Sequence, residues 1–127
     1  MCSLYGAIMK DKVIQARWEA VKNEIRHILV QRAKDKETIT YSELARMLQT
    51  VHMHYHSHIF FRLLIELGNE EDAEGRPCLP ALVVTKQTGI PGGGFFTGLA
   101  LEYSENHNTL EEYWRSRLEE VFAYYAG

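Results

Sequence analysis

Cysteine, proline and long apolar runs are all scarce in this 127-residue chain. Its two cysteines, Cys2 and Cys78, form no spaced motif. That excludes a disulfide framework and a cysteine-built zinc cluster, and leaves two free thiols in a reducing cytoplasm. No apolar stretch reaches the roughly 18 residues that a membrane-spanning helix needs. The opening MCSLYGAIMK has neither the basic flank nor the apolar stretch of a secretory leader. The expectation is a cytoplasmic chain with no membrane partner. Repeats, linkers and low-complexity segments are absent too. The length fits one domain, residues 1–127, able to bury a core without staples.

What is present is ordinary globular composition with an uneven charge. The formal net charge is −3, but residues 1–62 carry a net +4 and residues 63–127 a net −7. Five of the six histidines lie in the first half. A basic half can steer toward a polyanion. An acidic half suits a basic partner or keeps the chain in solution.

Periodicity supplies the elements. Ile14, Trp18, Val21, Ile25, Ile28 and Leu29 recur at spacings of three and four, predicting an amphipathic helix over 11–36. Lys22 and Arg26 flank that stripe. Arg32 falls on its line near the C-terminal end, where a cation favours the helix dipole. In ITYSELARML, Thr40 and Glu43 form a capping box and Ile39 can staple to Leu44, so a short helix is expected over about 41–48. A third helix is expected from Ser57 to Leu67, stopped by Gly68-Asn69. LPALVVT (79–85) reads as a buried strand. KQTGIPGGG turns the chain and GFF (94–96) returns as a second short strand. A short helix is expected near Thr97–Tyr103. The last helix starts at Asn108 or Thr109 and has Leu110, Trp114, Leu118, Val121 and Tyr125 on its buried stripe.

The predicted fold is therefore α+β and mainly helical. It is winged-helix-like: a helix-turn-helix plus a short β-hairpin, with long N- and C-terminal helices. The third helix would be the recognition element and the glycine-rich hairpin the wing.

Three segments carry a resemblance: TYSELA (40–45), HIFFRLLIELG (58–68) and LPALVVTKQTG (79–89). Together they resemble the C-terminal DNA-binding domain of the O6-alkylguanine-DNA alkyltransferases and the alkyltransferase-like proteins, over less than half of the chain. The family's reactive segment is Pro-Cys-His-Arg-Val, where this chain has Pro80-Ala81-Leu82-Val83-Val84. The nucleophilic thiol and its histidine are missing, so alkyl transfer, which needs a thiolate, is not expected. The family's non-catalytic relatives flip a base with an arginine of the recognition helix, and Arg62 or His58 stands near that position. The whole chain also resembles a family of small, uncharacterised bacterial proteins with GRP…LPALVV…PGGGFF segments, a resemblance that supplies no function.

Several residue groups are candidates for chemistry. VHMHYHSH places His52, His54, His56 and His58 at alternate positions. Extended, they point one way; coiled, His54 and His58 sit a turn apart. Either arrangement offers imidazoles to zinc, nickel or copper. The run holds no cysteine or carboxylate, so adventitious zinc or nickel is the expected extent of binding and no cofactor is expected. The blander reading is an inter-helix loop whose histidines touch phosphate or a partner. Cys78 is either a nucleophile or a small residue at a strand entrance. GIPGGGFF offers backbone amides to phosphate, but it matches neither the P-loop nor the dinucleotide fingerprint and reads as a wing tip. NEEDAEG lacks calcium-loop spacing and reads as a solvated turn. The last helix carries Tyr113, Trp114, Phe122, Tyr124 and Tyr125, more aromatics than one buried stripe requires, and offers a homodimer seam as well as packing on the first helix.

The functional expectation is a non-enzymatic nucleic-acid-binding module, with DNA as the partner. Arg46, His56, His58 and Lys86 would meet phosphates, and Phe61 and Arg62 would reach a groove or a base. The alternatives are a protein-interaction module on the same fold and a small metal-binding protein using the run from His52 to His58.

Overall fold

The computed structural model describes residues 3–53, 57–92 and 110–126; at 3–14 and 110 it describes the backbone alone. The described chain is mainly helical, with one two-stranded sheet. In order it runs α1 (Ser3–Lys34), β1 (Ile39–Thr40), α2 (Tyr41–Met47), α3 (His58–Ala73), a 3₁₀ turn (Leu79–Leu82), β2 (Val83–Val84) and α4 (Leu110–Tyr125).

Helix α1 starts eight residues before the expected position. An apolar stripe marks a helix only where it meets a core, and residues 3–13 contain no proline to stop the helix from extending. Its buried row is Val21, Ile25, Leu29 and Ala33, one residue every four, with Trp18 and Ile28 packed at the edges. Ile25 and Leu29 are wholly buried, each stabilising the fold by roughly 1.5–3 kcal/mol. The helix ends in a Schellman turn: the Glu37 amide donates to the Arg32 carbonyl and the Lys36 amide to Ala33, at 2.9 and 3.1 Å. The left-handed position falls on a lysine, Lys36, at φ 56°.

Helix α2 matches its expectation closely. The Thr40 hydroxyl accepts from the Glu43 amide at 3.2 Å. The Glu43 carboxylate does not reach back to the cap; it takes the Arg32 guanidinium at 2.5 Å, which pins the end of α1 to α2.

Helix α3 starts as expected, with the Ser57 hydroxyl accepting from the Ile59 amide at 3.2 Å. It does not stop at Gly68-Asn69 but continues to Ala73. Gly68 is buried against the core, and the turn falls instead at Gly75, φ +73°. There the Arg76 amide bonds the Glu71 carbonyl at 2.8 Å and the Gly75 amide bonds Asp72 at 3.0 Å. A glycine inside a helix costs about 1 kcal/mol, and here tertiary packing outweighs it.

The expected strand over 79–85 is also shorter. Pro80 lacks an amide for a ladder, and the segment curls into a buried 3₁₀ turn before Val83–Val84. That pair lies parallel to β1, Ile39 opposite Val83 and Thr40 opposite Val84. The expected return strand at 94–96 and the short helix at Thr97–Tyr103 lie outside the described residues.

Core residues of α1, α2, α3, the 3₁₀ turn and α4 join in one cluster. A satellite cluster of Ala81, Val84, Tyr113 and Trp114 fastens α4, where the Trp114 indole donates to the Ala81 carbonyl at 2.7 Å. Of the five aromatics on α4, Tyr113 and Trp114 are buried, Phe122 and Tyr125 pack at the core edge, and Tyr124 is exposed.

A left-handed non-glycine residue costs roughly 1–2 kcal/mol, partly offset by the freedom glycine adds to the unfolded chain. Lys36→Gly is therefore expected to stabilise the protein by about 0.5–1 kcal/mol in urea denaturation. An unchanged or lowered midpoint would show that Lys36 contributes more than its backbone.

Candidate nucleic-acid interface

The first two turns of α3 carry the exposed residues of interest. His58 and Arg62 are exposed, Phe61 is half-buried, and Ile59 between them is 50% exposed. The Arg62 guanidinium lies over the Trp18 ring of α1, 5.4 Å from its centroid, a cation–π contact that orients the fork while leaving it in reach of solvent.

Beyond Arg62 the helix changes sign. Glu66, Glu70, Glu71, Asp72 and Glu74 follow, with no cation between Leu63 and Gly75. A cationic ridge along the whole of α3 is therefore not what the fold displays; positive charge is confined to its N-terminal end. Part of the acidic run is engaged by α1. The Trp18 indole donates to Glu66 at 2.5 Å. Lys22, its side chain 4% exposed, bonds Glu70 at 2.6 Å, Glu19 at 3.1 Å and Glu66 at 3.5 Å. Burial disfavours the Lys22 ammonium, yet the bonds to Glu70 and Glu19 outweigh it and raise its pKa.

The other expected contacts come from two neighbouring segments. Arg46 is exposed in the last turn of α2 and Lys86 is exposed in the turn after β2. That turn reverses the chain: the Thr85 amide donates to the Ile90 carbonyl and the Gly89 amide to Thr85, both at 2.9 Å, with Gly89 at φ +72°. The Gly92 amide then donates to the Tyr41 hydroxyl at 3.1 Å, which holds this loop against the start of α2. Five residues along α2, about 7.5 Å, separate Tyr41 from Arg46. No hydrogen bond or ion pair joins any two of Arg46, His58, Phe61, Arg62 and Lys86 among the described residues.

The segment leading to α3 is anchored by a residue the sequence did not single out. Glu24 of α1 accepts the amides of Gln49 and Thr50 at 2.8 and 3.1 Å. Burial works against its charge, but these amide bonds prevail and lower its pKa. His52 is exposed just beyond this anchor; His54 and His56 lie outside the described residues. Among the described residues no group of three or more histidines, cysteines or carboxylates is placed to hold a metal. Burial pushes the Cys78 thiol up to about 12, so at neutral pH it is not the thiolate a nucleophile requires. No described helix is long and apolar enough to cross a membrane.

Trp18 and Tyr41 were legible only as core or helix residues. Their roles arise from partners 44 and 51 positions away, beyond any local pattern. Comparison of the chain with protein-family models, curated proteins and solved structures yields no match.

Two predictions concern the supports of this surface. Glu24 has a lowered folded-state pKa, so its contribution is present above its ordinary value of 4.5 and fades as pH falls through the lower folded value. The stability gap between wild type and Glu24→Gln, measured by denaturation across pH 7 to 3, is thus expected to narrow only below about 4.5. A gap that is constant across that range contradicts the assignment. Glu71, wholly buried between Arg26 and Arg76, is the stronger support. Glu71→Ala is expected to cost about 3 kcal/mol in the same assay, the lower end for breaking a buried ion pair because both arginines keep contact with water.

Proposed function

We propose that this chain is a non-enzymatic nucleic-acid-binding module of winged-helix-like design, with the N-terminal turns of α3 as its reading element. The observation that carries this reading is the exposed Arg62, seated on Trp18 one turn after the exposed His58 at a helix start capped by Ser57. Recognition helices present their N-terminal residues to base edges, and that end of α3 is where its positive charge lies. Lys86, on a reversing loop tied to α2 through Tyr41, is suited to a flanking phosphate, as a wing residue would be. Arg46 supplies a second phosphate contact. The acidic remainder of α3 would be repelled by a duplex, which favours shallow contact through the helix tip over docking along its length. The resemblance of residues 38–96 to the DNA-binding domain of the alkyltransferases and alkyltransferase-like proteins agrees with this reading.

A second reading, a protein-interaction module, is favoured by Ile59. It is half exposed beside the half-buried Phe61, giving the helix tip an apolar component.

Fluorescence anisotropy with labelled duplex and single-stranded DNA at low salt tests the proposal. Binding is expected to weaken linearly in log–log terms as salt rises. Arg62→Ala is expected to reduce affinity about tenfold, and Lys86→Ala to reduce the salt slope by about one. No binding to either form, or binding indifferent to Arg62→Ala, overturns it and leaves the protein-interaction reading in place.

A further inference from the structure

The end of α2 brings a thioether against a guanidinium. Met47, the last residue of α2, is 40% exposed, a large apolar side chain left in water. Its Sδ lies 3.9 Å from Nη2 of Arg32, near the end of α1. Arg32 is held from several sides. Its Nη2 also meets Glu43 at 2.5 Å, and its Nη1 reaches Glu37 at 3.4 Å and the Thr38 carbonyl at 3.5 Å. Each terminal guanidinium nitrogen carries two hydrogens. On Nη2 one is engaged by Glu43; among the described residues the other has the Met47 sulfur alone.

A thioether is a weak acceptor, so this contact does little for a fully charged donor. An oxygen on the sulfur changes that. A sulfoxide oxygen is strongly negative, and its bond to an arginine is charge-assisted. It stands one S–O bond out from a sulfur already 3.9 Å from the donor. Turning about the terminal bonds of methionine brings it within hydrogen-bond range of Nη2, and no helix has to move. Met53, the other methionine whose side chain is described, is half-buried against the core instead.

We propose that Met47 is a site of reversible oxidation by hydroperoxides, with Arg32 as the residue that holds the sulfoxide formed there. The thioether sulfur attacks the terminal peroxide oxygen, and the O–O bond breaks as the S–O bond forms. The sulfur is oxidised by two electrons and the peroxide is reduced. The proton of the transferred oxygen passes to the departing oxygen, which leaves as water or an alcohol. Methionine sulfoxide reductases reverse the change, and exposure leaves Met47 open to oxidant and reductase alike. Oxidation of a core methionine disrupts packing. At Met47 it replaces an exposed apolar tip with a polar tie between α1 and α2, so the fold is expected to gain from it. The site adjoins Arg46 in sequence but does not rest on the nucleic-acid reading.

The test treats the full chain with hydrogen peroxide, then with dithiothreitol to restore the thiols, and follows each methionine by peptide mass spectrometry. Met47 is expected to oxidise about threefold faster than Met53, or more. Urea unfolding then compares treated and untreated chains. Met47→Leu, treated in parallel, carries every other oxidation, so the difference between the two isolates Met47. Oxidation of Met47 is expected to lower the unfolding constant about threefold or more in wild type, to give no such gain in Arg32→Gln, and to be undone by a methionine sulfoxide reductase. Should Arg32→Gln fail to fold, the Arg32 guanidinium resonances decide: they are expected to shift on oxidation of wild type and not of Met47→Leu. The proposal is overturned if Met53 oxidises as fast as Met47, or if the reductase leaves the Met47 sulfoxide in place. It is equally overturned if oxidation of Met47 leaves the unfolding constant unchanged or raises it, if Arg32→Gln keeps the gain, or if the guanidinium resonances do not move.

Discussion

The pairing of α1 with α3 governs the rest of the molecule. Trp18 meets Glu66, Lys22 meets Glu66 and Glu70, and Arg26 meets Glu71. Partner numbers rise together along both helices, so the two run in the same sense. Alongside these polar ties runs an apolar seam, since Val21, Ile25 and Leu29 share one core cluster with Phe60, Leu63, Leu64 and Leu67. Apolar burial supplies most of the free energy of such a seam but tolerates sliding. Charged pairs tolerate it poorly, because a one-turn slip would leave Glu71 buried without a cation. The polar ties therefore set the register of α3, and register decides which residues its exposed side presents.

That constraint carries through to the surface. With Glu71 turned inward and Glu66 on the Trp18 indole, Arg62 one turn earlier must lie over the Trp18 ring. The position of the proposed reading residue follows from ion pairs about one to two and a half turns away. The same seam also explains why α3 outlasts Gly68. Its last turn contains Glu71, and stopping at Gly68 would remove the carboxylate that Arg26 and Arg76 both use. Gly68 fits the buried face of that turn, and its low helix propensity is a small term beside the two ion pairs it allows to form.

What could be read in the sequence divides along the same physical line. Local features were legible: the Thr40 cap on Glu43, the Ser57 helix start and the apolar stripes of α1 and α4 depend on residues a few positions apart. Features decided by distant contacts were not. Gly68-Asn69 has the composition of a helix stop, and only tertiary pairing shows that Gly75 holds the turn. LPALVVT has the composition of a strand, yet Pro80 curls its first half, and its second half finds Ile39–Thr40 as a parallel neighbour. Lys22 was legible only as a flank of the stripe. A signal was available, since it stands four residues after Trp18 while Glu66 and Glu70 are themselves four apart, a complementary spacing on two helices. Of the candidate site, Arg46, His58, Arg62 and Lys86 are exposed. The aromatic ring beneath Arg62 and the Tyr41 tie to Gly92 depend on separations no local pattern spans.

The two ends of α3 thus divide the charge of the chain in a way composition alone conceals. Its N-terminal turns carry His58 and Arg62 with no carboxylate before Glu66; its C-terminal turns carry carboxylates whose partners are supplied by α1 and by the segment after Gly75. The excess of basic residues before position 62 is accordingly not a uniform basic face. Lys22, Arg26 and Arg32 are committed to glutamates of α2 and α3 or of the adjoining turn, which leaves Arg46 and Arg62 as the exposed arginines nearest the α2–α3 connection. A polyanion approaching the α2–α3 connection would meet these two exposed arginines rather than a continuous basic face. Affinity would then rest on their placement, and the stacked Arg62, already oriented by Trp18, is the one whose placement the fold has gone furthest to determine.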